Sequence, residues 1–301
     1  MNAQKNSSGN RVSFRKRFVK TYAPSHITGF FAISDHKDPL YKGSIGSGIV
    51  LEAGCITEVS LGNPPSGKAR IAINGVEEEA PTTRYVVEHL AGTAAVSVST
   101  NFEVPVGCGF GASAAGALST ALALNELLSL TMTLNEVAHV AHCAEVENST
   151  GLGDVMAETH GGVVMRRKPG PPGIGMIDWI PHRNEKISSV VFGPKLTKAV
   201  LAEGGEELKR QINEAGKNAL KALMRKPTLE TFMQVSREFS LRSGLMSDTC
   251  KDVIEALDAE GKVASVAMIG ETVFVIGECE ALKEFGTVKE SRISNAGVRI
   301  L

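Results

Sequence analysis

Aromatic residues are scarce in this chain. Phe, Trp and Tyr together make up 5% of its 301 residues, with a single tryptophan. A surface that stacks nucleic-acid bases in series is therefore not suggested. Cysteine is sparse too: the five, Cys55, Cys108, Cys143, Cys250 and Cys279, are widely scattered. None of them has the C-x-x-C spacing of a structural zinc site or redox motif, and a reducing, cytoplasmic setting is expected. No run of ~18 apolar residues exists to span a membrane. The N-terminus lacks the apolar segment of a secretory signal, so the sequons at Asn6 and Asn148 carry no weight. An excess of one charge is also missing: 32 Lys and Arg stand against 33 Asp and Glu, for a net charge of −1. That balance offers no general attraction for nucleic acid or an anionic membrane, and neither is expected as a partner.

What remains is the composition of an ordinary globular protein, 43% hydrophobic and 22% charged. The chain is long for one core, which points to two domains. Residues 1–10 are polar and read as a disordered tail. The segment 11–22 reads as a strand with a basic face. Residues 23–39 are rich in turn formers and read as a loop of the kind that carries function. Residues 43–61 read as one or two strands, 62–67 as a turn, and Asn74-Gly75 as a hairpin turn. A helix is expected from about Val86, a strand over 94–105, a long helix behind it, and a further helix capped by Asn135. Residues 168–175 are rich in proline and glycine and look unsuited to a core. Beyond a strand near 186–193, helices are expected around 195–203, 204–224, 228–243 and 248–260, then a hairpin turning at Gly270-Glu271. Strands first and helices in clusters make the class α+β. The boundary falls near 185, giving an N-terminal domain over 11–185 and a C-terminal α+β domain over 186–301.

The stretch from Pro105 to Asn125, PVGCGFGASAAGALSTALALN, organises the rest. Glycines at 107, 109 and 111 allow close backbone approach, and the Ala/Leu run behind them favours helix. A loop opening a helix presents free N–H groups at the positive end of the macrodipole, a setting that binds phosphate. A Walker loop is excluded because no lysine lies between residues 105 and 125. A dinucleotide fingerprint is excluded because a second helix, not a second strand, follows.

The pattern P-x-G-x-G-x-G-A-S-A-A resembles the ATP-binding motif of the GHMP kinases. Pro105, Gly107, Gly109, Gly111, Ala112, Ser113, Ala114 and Ala115 carry the resemblance. Two carboxylates follow in the family's order, Glu145 on the next helix and Asp154 in a GLGD turn. The resemblance implies that Ser113 and Glu145 hold Mg²⁺ with ATP and that Asp154 orients or deprotonates the acceptor hydroxyl. Glu147 competes for the metal role, but it stands about 200° from Glu145 on an ideal helix.

The segments AP-x-HITGFF, TGLGDV, ETHGG and MIGETVF narrow the resemblance to the archaeal pantoate kinase branch of that family. The basic position of the family's first motif is taken here by His26, and the third motif is reduced to residues 267–271. The resemblance implies an N-terminal domain like ribosomal-protein and gyrase domains, a ferredoxin-like C-terminal domain, a homodimer, and pantoate as acceptor. Arg166, ending the strand after Gly161-Gly162, suits the acceptor carboxylate, while Arg167 would point the other way. His26 and Ser34 are further candidates to bind the acceptor. Another GHMP-type kinase (homoserine or mevalonate pathway), a diphosphomevalonate decarboxylase and a non-catalytic nucleic-acid-binding protein are the alternatives. His139, His142 and Cys143 share a helix face with metal-like spacing, but a half-buried stripe explains them without zinc.

Overall fold

The computed structural model describes residues 17–62, 69–195 and 205–301. The tail over 1–10, most of the expected turn at 62–67 and the helix expected near 195–203 lie outside these residues.

Two long antiparallel strands form the spine. β1 (Phe18–Ser34) pairs along its whole length with β2 (Gly43–Leu61), with register shifts between Pro24 and Ser25 and between Thr28 and Phe30. The segment 23–34, expected as a loop, is thus the buried half of β1. Helices cover it, so nearly every residue is buried and the alternation that marks a half-exposed strand is lost. The first sheet runs in the order β12 (Arg299–Ile300), β1, β2, β5 (Val96–Phe102), β3 (Arg70–Ile73), β4 (Val76–Glu77); β6 (Val163–Lys168) joins β2 to β7 (Met176–Ile180). Asn74 and Gly75 make the β3–β4 turn with positive φ, as that hairpin signal requires.

Helix α1 (Pro81–Ala91) starts five residues before the expected position, because proline is pre-set for a first helical turn. Helix α2 (Ala112–Leu128) is buried on almost every side, with Ala114, Ala115, Leu118 and Leu124 fully enclosed. A helix apolar all round belongs in a core, and each enclosed leucine contributes roughly 1.5–3 kcal/mol. Helix α3 (Leu134–Asn148) is capped by Thr133, not Asn135: Glu136 N–H donates to the Thr133 hydroxyl, and the Glu136 carboxylate accepts from Thr133 N–H at 2.7 Å. Short helix α4 (Asp154–His160) follows, then β6. The proline-rich segment is not an excursion: Pro171 and Pro172 are buried, and His139 Nε2 meets Pro172 O at 2.8 Å.

The second sheet, in the order β11 (Val288–Arg292), β8 (Lys186–Gly193), β10 (Glu271–Ile276), β9 (Ala264–Val266), is fully antiparallel. The β9–β10 turn spans 267–270, and Glu271 already belongs to the strand. Helices α5 (Gly205–Arg225), α6 (Leu229–Arg242) and α7 (Asp248–Ala259) pack with this sheet and against β1, where Phe30 and Phe31 meet Phe232 and Phe239. One hydrophobic cluster runs through both sheets. Among the described residues no helix is long and apolar enough to cross a membrane.

Candidate active site

The loop 105–111 is stitched to three distant segments. His26 N–H donates to Phe110 O (3.0 Å), Thr272 Oγ1 to Cys108 O (2.8 Å) and Lys195 N–H to Gly107 O (2.9 Å). Gly111 ends the loop as the N-cap of α2 with φ +65, and a β-carbon there would collide with Glu158 Oε1. The left-handed φ and this contact together favour glycine there. The first amides of α2 therefore face a cavity of ≈ 700 Å³ with no side-chain cap across them.

Asp154 opens α4 at the floor of this cavity, immediately after Gly153. Its Oδ1 accepts from His26 Nδ1 at 2.7 Å and from Thr28 Oγ1 at 3.3 Å. Burial alone would raise the carboxyl's pKa; the His26 hydrogen bond, the Arg166 charge and Thr28 outweigh it and hold the pKa below its ordinary value. Asp154 is thus ionised at neutral pH. Burial pushes the His26 pKa down, so the ring is neutral with its proton on Nδ1. His26 is fully enclosed, its Nε2 has no partner, and the ring sits behind Asp154 away from the cavity. Expected at the acceptor, His26 stands on a strand buried on both faces, its ring turned inward onto Asp154 and outside the cavity lining.

Arg166 projects from β6 into the floor beside Ser44, both next to Gly153, where a β-carbon would stand 2.6 Å from Arg166 Nε and 2.7 Å from Ser44 Oγ. Arg166 is 2% exposed, and its Nε and Nη1 lack partners. Arg167 turns outward onto Asp178 at 3.6 Å.

Glu145 stands just outside the cavity lining, where its Oε1 accepts from Thr150 Oγ1 at 2.6 Å and Ser113 is a second hydrogen-bond partner; Thr150 and Ser113 both line the cavity. Burial, with the charge of Asp154 nearby, raises its pKa to about 7. Glu147 is exposed on the cavity rim. A buried carboxylate beside a hydroxyl, lacking a cation of its own, fits Mg²⁺, which takes few protein carboxylates and completes its shell with phosphate and water. Among the described residues no larger cluster of metal-binding side chains exists. The His139–His142 stripe is accounted for by backbone carbonyls, with His142 Nε2 at 2.9 Å from Lys42 O.

The remaining loop residues divide. Gly107, Gly109, Ala112 and Ser113 line the cavity, whereas Pro105 does not, and Ala114 and Ala115 are enclosed in α2. Ser34 stands at the far end of β1, paired with Gly43 and outside the cavity lining. Eight residues of strand separate it from His26, roughly 26 Å at an ordinary strand rise. The sequence reading missed Thr28, Ser44 and Glu158. Thr28 lies two residues from His26 and so on the same strand face, a signal available once 23–34 is read as strand. Glu158 is one helical turn after Asp154 and fully buried, and both its oxygens lack partners. Burial and the neighbouring carboxylates raise its pKa well above the ordinary value, so it is a neutral acid.

The chain is similar to known proteins in sequence and in fold. Residues 77–162 match the family described as GHMP kinases N terminal domain, a span that includes the loop, Glu145 and Asp154. A pantoate kinase of Thermococcus kodakarensis is 36% identical over 86% of this chain and 87% of its own. One from Methanospirillum hungatei is 34% identical over 94% and 96%. Among solved structures, a "Phosphotransferase related to CoA biosynthesis pathway" superposes with a TM-score of 0.84 at 30% identity, covering 94% of this chain and 98% of that one. Loop, carboxylates and relatives converge: the chain belongs to the GHMP kinase family, on its pantoate kinase branch.

Proposed function

We propose that this chain is an ATP-dependent kinase that transfers the γ-phosphoryl group to a hydroxyl of pantoate, yielding 4-phosphopantoate for coenzyme A synthesis. The observation that carries it is the Asp154 carboxylate, ionised and fixed by His26, in one cavity with the phosphate loop and the partnerless Arg166 guanidinium. The amides of α2 and the loop glycines cradle the triphosphate. Ser113 and Glu145 hold Mg²⁺, which when bound neutralises charge on the phosphates. Arg166 supplies the charge for the pantoate carboxylate from beside Gly153, which leaves the acceptor hydroxyl at Asp154. Asp154 accepts the hydroxyl proton as the oxygen–phosphorus bond forms and ADP departs; His26 keeps the receiving oxygen aligned.

The same reading includes a homodimer, a cytoplasmic setting and a division into two domains near residue 185. The second sheet opening at Lys186 supports the last. Steady ADP release with pantoate as the only acceptor, compared with homoserine and mevalonate, tests the reading. Turnover with pantoate no faster than without acceptor would overturn it.

A further inference from the structure

The phosphate loop carries no basic side chain, since no lysine or arginine lies between residues 105 and 125. A triphosphate in this site would meet the α2 amides but no cation from the loop itself. Among the described residues lining the cavity the cationic side chains are Arg166 and Lys195. Arg166 is on the floor, next to Asp154. Lys195 stands against the loop: its N–H bonds Gly107 O at 2.9 Å, and a β-carbon on Gly107 would meet Pro194 Cβ at 3.2 Å.

The Lys195 ammonium is held on a tether at the cavity edge. Nζ donates to Leu245 O (2.9 Å) and to Glu271 Oε1 (3.1 Å), and Ser247 Oγ donates to the other Glu271 oxygen. Glu271 ends the segment 267–271, whose Gly270 packs on the loop so closely that a β-carbon would collide with Cys108 O. The lysine side chain is 27% exposed, so it is neither buried in the tether nor free in solvent. The fold thus brings a cation from outside the motif to the loop and fixes it by backbone on one side and by a carboxylate on the other. A lysine presents a compact charge on a flexible stem, suited to following a phosphate that arrives and leaves.

We propose that Lys195 supplies the cation the phosphate loop lacks, its ammonium contacting the phosphates of the donor nucleotide, with Glu271 as the parking partner when the site is empty. The inference rests on the ATP-kinase reading above. Lys195 is a nucleotide-binding residue of this chain that lies outside the loop motif, and it acts on the donor, leaving the acceptor to Arg166.

Titration calorimetry of the full chain with ATP and with ADP, in Mg²⁺, tests it on the wild type, Lys195→Met, Lys195→Arg and Glu271→Gln. Lys195→Met should weaken both nucleotides by about 10- to 100-fold, the loss of one charge-assisted contact, with the KM for pantoate unchanged. Lys195→Arg should recover most of that loss. Glu271→Gln, which keeps the ammonium but loosens its tether, should bind ATP as tightly as the wild type or tighter. Nucleotide affinity unchanged in Lys195→Met overturns the proposal. So does a loss in Glu271→Gln as large as in Lys195→Met, because the pair would then serve only to hold the loop in shape. A wild type that binds no ATP would instead overturn the kinase reading itself.

Discussion

Glu145→Gln should make the empty protein more stable, and increasingly so as pH rises. The side chain is 2% exposed, and its pKa is raised from the ordinary 4.5 to about 7 by burial. In the unfolded chain the carboxyl ionises near its ordinary value. The folded state therefore holds a proton that the unfolded state has lost between these two values. The stabilisation from holding it is fully present below the unfolded pKa and is lost as pH rises through the folded pKa. At 1.36 kcal/mol per unit the swing is about 3 kcal/mol. Glutamine keeps the shape and can still accept from Thr150, but cannot ionise. Thermal unfolding without ligands, from pH 4.5 to 8.5, should show the variant gaining on the wild type by roughly 5–10 °C across the range. Glu158, also raised, and Asp154, lowered, titrate in both proteins and largely cancel in the difference. Mg²⁺ with ADP should then stabilise the wild type far more than the variant, because the ligand selects the ionised carboxylate. A difference between the two proteins that does not change with pH would refute the reasoning.

Asp154→Asn should lower kcat by about 10²–10⁴ while leaving ATP affinity within a few-fold, read by steady-state kinetics and calorimetry. Arg166→Lys should raise the KM for pantoate at least tenfold with less effect on the KM for ATP, since a point charge replaces the guanidinium. His26→Gln should cost kcat more than pantoate KM, because the ring holds Asp154 and does not line the cavity; a change confined to pantoate KM would place it at the acceptor instead. Gly111→Ala should lower the melting temperature and abolish nucleotide binding, because φ is +65 there and the new methyl meets Glu158.

How much of this was legible follows from how far apart the partners lie in the chain. The phosphate loop, Glu145, Asp154 and Arg166 fall within a span of about sixty residues and belong to local patterns, so their types and order speak without a fold. The alternation Arg166/Arg167 also sorted itself, since a strand has only two faces. His26 was marked for the acceptor, and its bond to Asp154 needed the fold. The turn formers in 23–34 suggested a loop, whereas the glycines and small polar residues there allow α6 and β2 to approach a strand buried on both faces. Gly29, where a β-carbon would overlap Ser236 and Phe232, is the clearest case. Reading that strand as a loop hid Thr28 and put Ser34, which stands at the strand's far end, among the acceptor candidates. Lys195 could not be found at all, because its meeting with Gly107 depends on how the second sheet sits against the first.

The short strand β12 has a consequence for how the protein comes into being. It pairs with β1 at Thr21 and Tyr22, Ser294 N–H reaches Val50 O, and Val298 N–H reaches Glu158 O. These partners lie far apart in sequence, so β1 and α4 wait for residues 294–300 to be translated. A nascent chain held short of residue 294 would already contain every residue assigned to the site, yet the edge of β1 beside Tyr22 would be bare and α4 unbraced. Ribosome-bound lengths should therefore gain protease resistance in α4 abruptly, when residues 294–300 clear the exit tunnel. Until then the open edge of β1 is a place where two unfinished chains can pair with each other.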